Sequence, residues 1–167
     1  HLSASFRIHL ACFIDDPEDW AHTDALDEYC EQTHFVRLNP LSAKIRSLKA
    51  FATGAPLNLP YFRDPSLDDW VARVTQSVNP SAAFVFSSQM VQYLMRSDHK
   101  FERTVIDFCD VDSDKWRQYA ATKQWPLSWL YKREATELLK FDQSVAHFVD
   151  AATFVAEPEV ELFNRLS

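Results

Sequence analysis

Five short runs rich in β-branched and aromatic residues alternate with amphipathic runs, and this rhythm constrains the fold more than any other feature of the chain. Parallel strands need a crossover between them, and a helix supplies it, so strand–helix alternation predicts an α/β domain with a mainly parallel sheet. The strand-like runs cover residues 6–14, 34–38, 82–86, 101–108 and 151–156. After the first, Asp16 caps a helix with Pro17 at its first position, predicted to continue to about Thr33. Leu41, Ile45, Leu48 and Phe51 keep helical spacing and mark one face of a helix that ends at Gly54. Residues 54–65 hold Pro56, Pro60 and Pro65 and are predicted to be extended and irregular. Asp64 or Ser66 then caps a helix with Leu67, Trp70, Val71, Val74 and Val78 on one stripe. Ser87 and Ser88 are placed to cap a short helix behind the third strand. Further helices are predicted over 115–123, from Pro126 with Tyr131, Ala135, Leu138, Val145 and Val149 as its stripe, and from Pro158 onward.

With 167 residues, 47% of them hydrophobic and 14% aromatic, the chain can bury one full core. A net charge of −7 and a pI near 5.3 exclude nucleic acid as a partner, since no Lys/Arg stripe is present to meet a phosphate backbone. Gly54 is the single glycine. A chain this long ordinarily carries roughly a dozen. Glycine-rich phosphate loops of the dinucleotide and Walker types are thereby excluded. Cys12, Cys30 and Cys109 are odd in number and have no zinc-type spacing, which fits a reducing cytoplasm. Apolar runs are too short to cross a bilayer, and the N-terminus lacks a signal-peptide layout.

The stretch "DFCDVDSDKW" carries the most chemistry: four aspartates, Asp107, Asp110, Asp112 and Asp114, follow an apolar strand. In open parallel sheets ligands bind beyond the carboxyl ends of the strands, which is where these acids fall. Asp110 and Asp112 could together hold a magnesium ion in a phosphohydrolase with an aspartyl nucleophile. In such enzymes the motif ends the first strand and precedes Gly-Thr, whereas Ser113-Asp114 follows here. An Asp-x-Asp of sugar-nucleotide transferases is a second metal reading. The plainest reading makes Asp112 or Ser113 a helix N-cap, with the remaining acids favoured by the helix dipole. Asp107, inside the strand, then needs a partner of its own, either a backbone N–H or one of Lys115 and Arg117.

The segments "ACFIDDPEDW", "SLKAFATGAPLNLPYF", "FVFSSQMVQY", "VIDFCDVDSDKWRQYA" and "ATFVAEPEVELF" together resemble the N-terminal half of GT-B type retaining glycosyltransferases of family 4. More narrowly, they are similar to the sugar transferases of PEP-CTERM/exosortase systems, which serve bacterial exopolysaccharide production. The resemblance spans essentially the whole chain. It implies a Rossmann-like open parallel sheet flanked by helices, a single acceptor-side domain over residues 1–167. The first strand with its Gly-rich loop would precede His1, and a donor-binding domain with a Glu-x(7)-Glu signature would follow.

The implied reaction moves a sugar from a nucleotide-sugar donor to a lipid-linked or polysaccharide acceptor. It needs neither metal nor cofactor, and these residues alone would be inactive. The implied location is the cytoplasm, with peripheral association at the inner face of the cell membrane. Matched onto this chain, the family's strand-end His-Asp corresponds to Cys109-Asp110, making Asp110 the catalytic candidate, with cysteine in place of the commoner histidine. Asp112, Lys115, Ser87, Ser88 and Tyr61 are the acceptor-binding candidates, and Glu157 reads as a first-turn helix acid. A non-catalytic interaction domain is the further alternative, because a sheet short of its first strand exposes pairing edges that favour a homodimer.

Overall fold

The strand-like runs do pair in parallel. The computed structural model describes residues 2–167. β1 (His9–Ile14) pairs with β2 (Gln32–Arg37), from His9 opposite Gln32 to Ile14 opposite Arg37. β3 (Ala82–Phe86), β4 (Arg103–Cys109) and β5 (Ala151–Phe154) form a second parallel sheet in that order. The helices are α1 (Pro40–Ser47), α2 (Ala50–Thr53), α3 (Asn58–Tyr61), α4 (Pro65–Val78), α5 (Asp112–Thr122), α6 (Leu127–Phe148) and α7 (Glu157–Leu166). The class is α/β and Rossmann-like, but the single open sheet expected from the sequence is divided into sheets of two and three strands.

Two packed clusters hold the layers together. Val85 and Ile106 of the second sheet pack with Val91, Phe108 and Val145, while Val36 of the first packs with Leu67 and Tyr93. Met90 touches both clusters and joins them. Burying side chains of this size contributes roughly 1.5–3 kcal/mol each, so the shared methionine couples the two sheets energetically.

The faces used by the connections order the strands. By register Ala11 and Phe13 share a face with His34 and Val36, and Leu67 and Val71 of α4 cover it. Phe35 points to the other face and meets Trp20 of the β1–β2 connection, with ring centroids 6.5 Å apart. The first crossover therefore runs over one face and the later ones over the opposite face. Right-handed crossovers then carry β2 to one side of β1 and carry β3, β4 and β5 to the other. Among the described residues β1 is hydrogen-bonded only to β2 and β3 only to β4, so each has one unpaired edge, and the order implied by right-handed crossovers sets those two edges next to each other.

Several local expectations are corrected. In place of a helix from Pro17 to Thr33 there are two 3-10 turns, Pro17–His22 and Asp24–Leu26, and β2 has begun by Gln32. Asp24, Asp27, Glu28 and Glu31 would line one helix face, and like charges at i,i+3 and i,i+4 oppose an α-helix there. The proline-rich stretch is not wholly irregular, because it contains α3. Asp64, rather than Ser66, caps α4 by accepting the Ser66 N–H at 2.9 Å. Ser87 precedes the 3-10 helix Ser88–Tyr93 without capping it and Ser88 is its first residue, and α5 starts after Val111 with no side-chain cap from Asp112 or Ser113.

The face of α1 and α2 is reversed as well. Ala43, Ser47 and Ala50 are buried, whereas Leu41, Ile45, Leu48 and Phe51 are exposed. Small residues permit close approach to the neighbouring chain, which turns the bulky stripe outward. Gly54 closes α2 at φ 73°, with nothing within 4 Å of where a Cβ would stand. Gly54→Ala is therefore expected to cost about 1 kcal/mol through left-handed strain alone. Urea unfolding measures it, and an unchanged midpoint would contradict this backbone conformation.

Candidate functional site

β3 and β4 end side by side, and the backbone turns sharply at both ends. Ser87, just after β3, has φ 73°, and Cys109, the last residue of β4, has φ 63°. Positive φ in a residue with a Cβ costs of order 1–3 kcal/mol, and such strain gathers at working sites. Asp107 holds both turns: its carbonyl accepts the Ser87 N–H at 2.8 Å, and its Oδ1 accepts the Cys109 N–H at 3.0 Å. The partner that Asp107 needed is thus a backbone N–H. Lys115 and Arg117 are engaged elsewhere, Arg117 with Asp114. Burial, and then the Asp107 charge, raise the Cys109 thiol pKa, which leaves it a poor nucleophile at neutral pH.

The turn projects Asp110 outward and α5 brings Lys115 back toward it. Lys115 Nζ donates to Asp110 Oδ2 at 2.7 Å and to Asp112 Oδ1 at 3.1 Å. These hydrogen bonds, the one to Asp110 foremost, hold the ammonium pKa above its ordinary value. All three side chains are partly exposed, so the pairing adds little to stability and its members can exchange toward a ligand. Together they offer an ammonium donor between two carboxylate acceptors, a set that suits hydroxyl groups. Among the described residues no group of three or more His, Cys, Asp or Glu is arranged to hold a metal ion.

A buried polar layer lies beneath this trio. Ser88 and Gln89, behind β3, are buried, and the Ser88 hydroxyl donates to Gln89 Oε1 at 3.2 Å. Asp142 of α6 is 3% exposed, and its Oδ1 has no hydrogen-bond partner. Burial pushes its pKa up to about 7, with the Ser88 hydroxyl acting against that rise and the Asp112 charge adding to it. Ser113 Oγ is likewise buried without a partner. A buried carboxyl whose pKa is raised by desolvation is the type of group that acid–base chemistry draws on.

Of the expected residues, Asp110, Asp112 and Lys115 come together, Ser88 lies beneath them beside Asp142, and Ser87 forms the neighbouring turn. Tyr61 belongs to another group: it sits on α3, edge-on to Phe62 at 4.9 Å, and Phe62 meets Phe13 of β1. Glu159 reaches the rim, where its Oε2 accepts the Val111 N–H at 2.9 Å. Glu157 remains a first-turn acid of α7. Sequence reasoning missed Asp142 and Glu159. Asp142 had a readable signal, an acid set between Leu138 and Val145 on the buried stripe of α6. Glu159 had none, since its partner is 48 residues away. Comparison with protein-family models, curated proteins and solved structures finds no match to this chain.

Proposed function

We propose that this chain is the acceptor-side domain of a retaining GT-B type glycosyltransferase, which transfers a sugar from a nucleotide-sugar donor to a lipid-linked or polysaccharide acceptor in exopolysaccharide synthesis. The interrupted strand order carries this reading. A doubly wound sheet has the order 3-2-1-4-5-6, with its ligand crevice where the order reverses. Without its first strand it reads 3-2, gap, 4-5-6, which is the order derived for β2-β1, gap, β3-β4-β5. The gap matches the first strand that the resemblance puts before His1, and the Asp110 group lies at the carboxyl end of a strand beyond it.

In this reading Asp110 accepts a hydrogen bond from the acceptor hydroxyl, Lys115 and Asp112 orient it, and Ser87 and Ser88 line the approach. In the phosphohydrolase alternative a hard cation would have to displace the Lys115 ammonium, which donates to both Asp110 and Asp112. In the full-length enzyme that this reading implies, Asp110→Asn is expected to reduce sugar transfer by about a hundredfold or more. Labelled nucleotide sugars and a lipid extract provide the assay, and circular dichroism checks the fold. Undiminished transfer by the variant would remove Asp110 from the mechanism, and no transfer by the unaltered enzyme from any donor would remove the class.

A further inference from the structure

Residues 32–63 contain no Asp or Glu, although the whole chain has 24, and they carry Arg37, Lys44, Arg46, Lys49 and Arg63. The most basic stretch of an acidic protein is also the one whose apolar stripe faces outward. Leu41, Ile45, Leu48 and Phe51 are 71%, 62%, 61% and 45% exposed, and Phe51 stacks on the exposed Trp129 at 6.4 Å. At 100° per residue Leu41, Ile45 and Leu48 lie opposite the buried Ala43, Ser47 and Ala50, with Lys44 on one flank and Lys49 on the other.

Beside the Lys49 flank opens a cavity of about 490 Å³. Arg46, Lys49, Arg63 and Arg96 line it together with apolar Leu59 and Phe141, and no acidic residue does. Arg46 is committed to the carbonyls of Pro60 and Tyr61. Arg63 and Arg96 share one carboxylate, Asp68, at 3.8 and 3.7 Å, which leaves the group net positive.

We propose that α1 and α2 lie on an anionic lipid surface, with the Leu41–Ile45–Leu48 stripe among the acyl chains and the cavity taking a lipid phosphate. An outward apolar stripe between lysines is the layout of an interfacial helix. A protein partner would have to match the same cationic rim, and this chain's own charge of −7 does not by itself specify one, whereas anionic headgroups cover the rim and acyl chains cover the stripe at once. The inference extends the membrane location of the proposed enzyme. It stands on the chemistry of this segment, so vesicle binding and sugar transfer can fail separately.

The test is co-sedimentation of the purified chain with phosphatidylcholine vesicles, with and without phosphatidylglycerol. Binding is expected only with the anionic lipid and is expected to weaken as salt rises. Lys44→Gln/Lys49→Gln should weaken it by about thirtyfold, and Ile45→Gln/Leu48→Gln by at least about tenfold. All four positions are exposed, so unchanged thermal unfolding accompanies each variant. Equal binding to both vesicles, no binding to either, or variants that bind like the parent would each overturn the proposal. So would a lipid-free dimer that Ile45→Gln/Leu48→Gln dissolves, because the stripe would then be covered by a second copy.

Discussion

Asp142→Asn is expected to make the protein more stable in alkali and to flatten its stability–pH profile. Asp142 is buried on α6 with one oxygen unpaired, and burial raises its pKa from 3.8 to about 7. The folded state therefore binds a proton that the unfolded state releases at any pH between those values. Under linkage, stability is greatest below the unfolded pKa and is lost as pH rises through the folded one. That shift corresponds to on the order of 4 kcal/mol, developed mostly between pH 4 and 7. Asparagine keeps the shape and cannot ionise. The variant should match the parent near pH 4 and exceed it above pH 7. Urea unfolding across this range measures the difference, and a constant difference at every pH would show that Asp142 does not titrate in the fold. If Asp142 also supplies a proton to the rim, the same substitution will remove a limb near pH 7 from the transfer profile of the proposed enzyme.

The contrast between what could and could not be read from the residues follows from the range of each interaction. β3 is found at the predicted residues because "AAFVF" is apolar throughout and is bounded by Pro80 and Ser87, signals carried within a few positions. α4 and α6 follow in the same way, from stripes at helical spacing. The Asp110–Asp112–Lys115 group was legible because all its members lie within six residues on a strand-to-helix corner. Failures appear where distant chain decides. The stripe on α1 and α2 has the right period but the wrong side, since periodicity identifies an apolar face without saying whether protein covers it. The helix expected to run from Pro17 to Thr33 is broken into 3-10 turns, and the like charges at Asp24, Asp27, Glu28 and Glu31 that oppose it are not counted by a capping pattern at Asp16. The division of the sheet depends on which edges meet, a property of five strands together rather than of any one run.

Glu134 is the extreme case of such distance, and its removal is expected to be the most destabilising single change at a polar position. Its side chain is completely buried on α6, and both carboxylate oxygens accept the Leu57 N–H, at 2.8 and 2.9 Å, across 77 residues of sequence. Desolvation raises its pKa, while the N–H groups of Leu57 and Asn58 and the Arg133 charge act in the opposite direction. It thus serves as the N-cap that α3 lacks locally, because Leu57 cannot provide one. Arg133 completes the clamp: its Nη2 donates to the carbonyls of Ala50 and Ala55 at 2.8 and 3.0 Å, and its guanidinium lies over Phe51. The pair fastens the start of α2 and the turn beyond its end to the start of α3, and residues of all three line the basic cavity. Glu134→Ala would strand the Leu57 N–H and leave Arg133 without its carboxylate, 3.6 Å away in the parent. The expected loss is about 3–5 kcal/mol. Glu134→Gln keeps one acceptor oxygen and should lose less than half of that. Urea midpoints rank the two, and hydrogen exchange at Leu57 and Asn58 locates the damage. A Glu134→Ala loss under about 1 kcal/mol would mean that water replaces the carboxylate freely, and the clamp would then have no part in shaping the cavity.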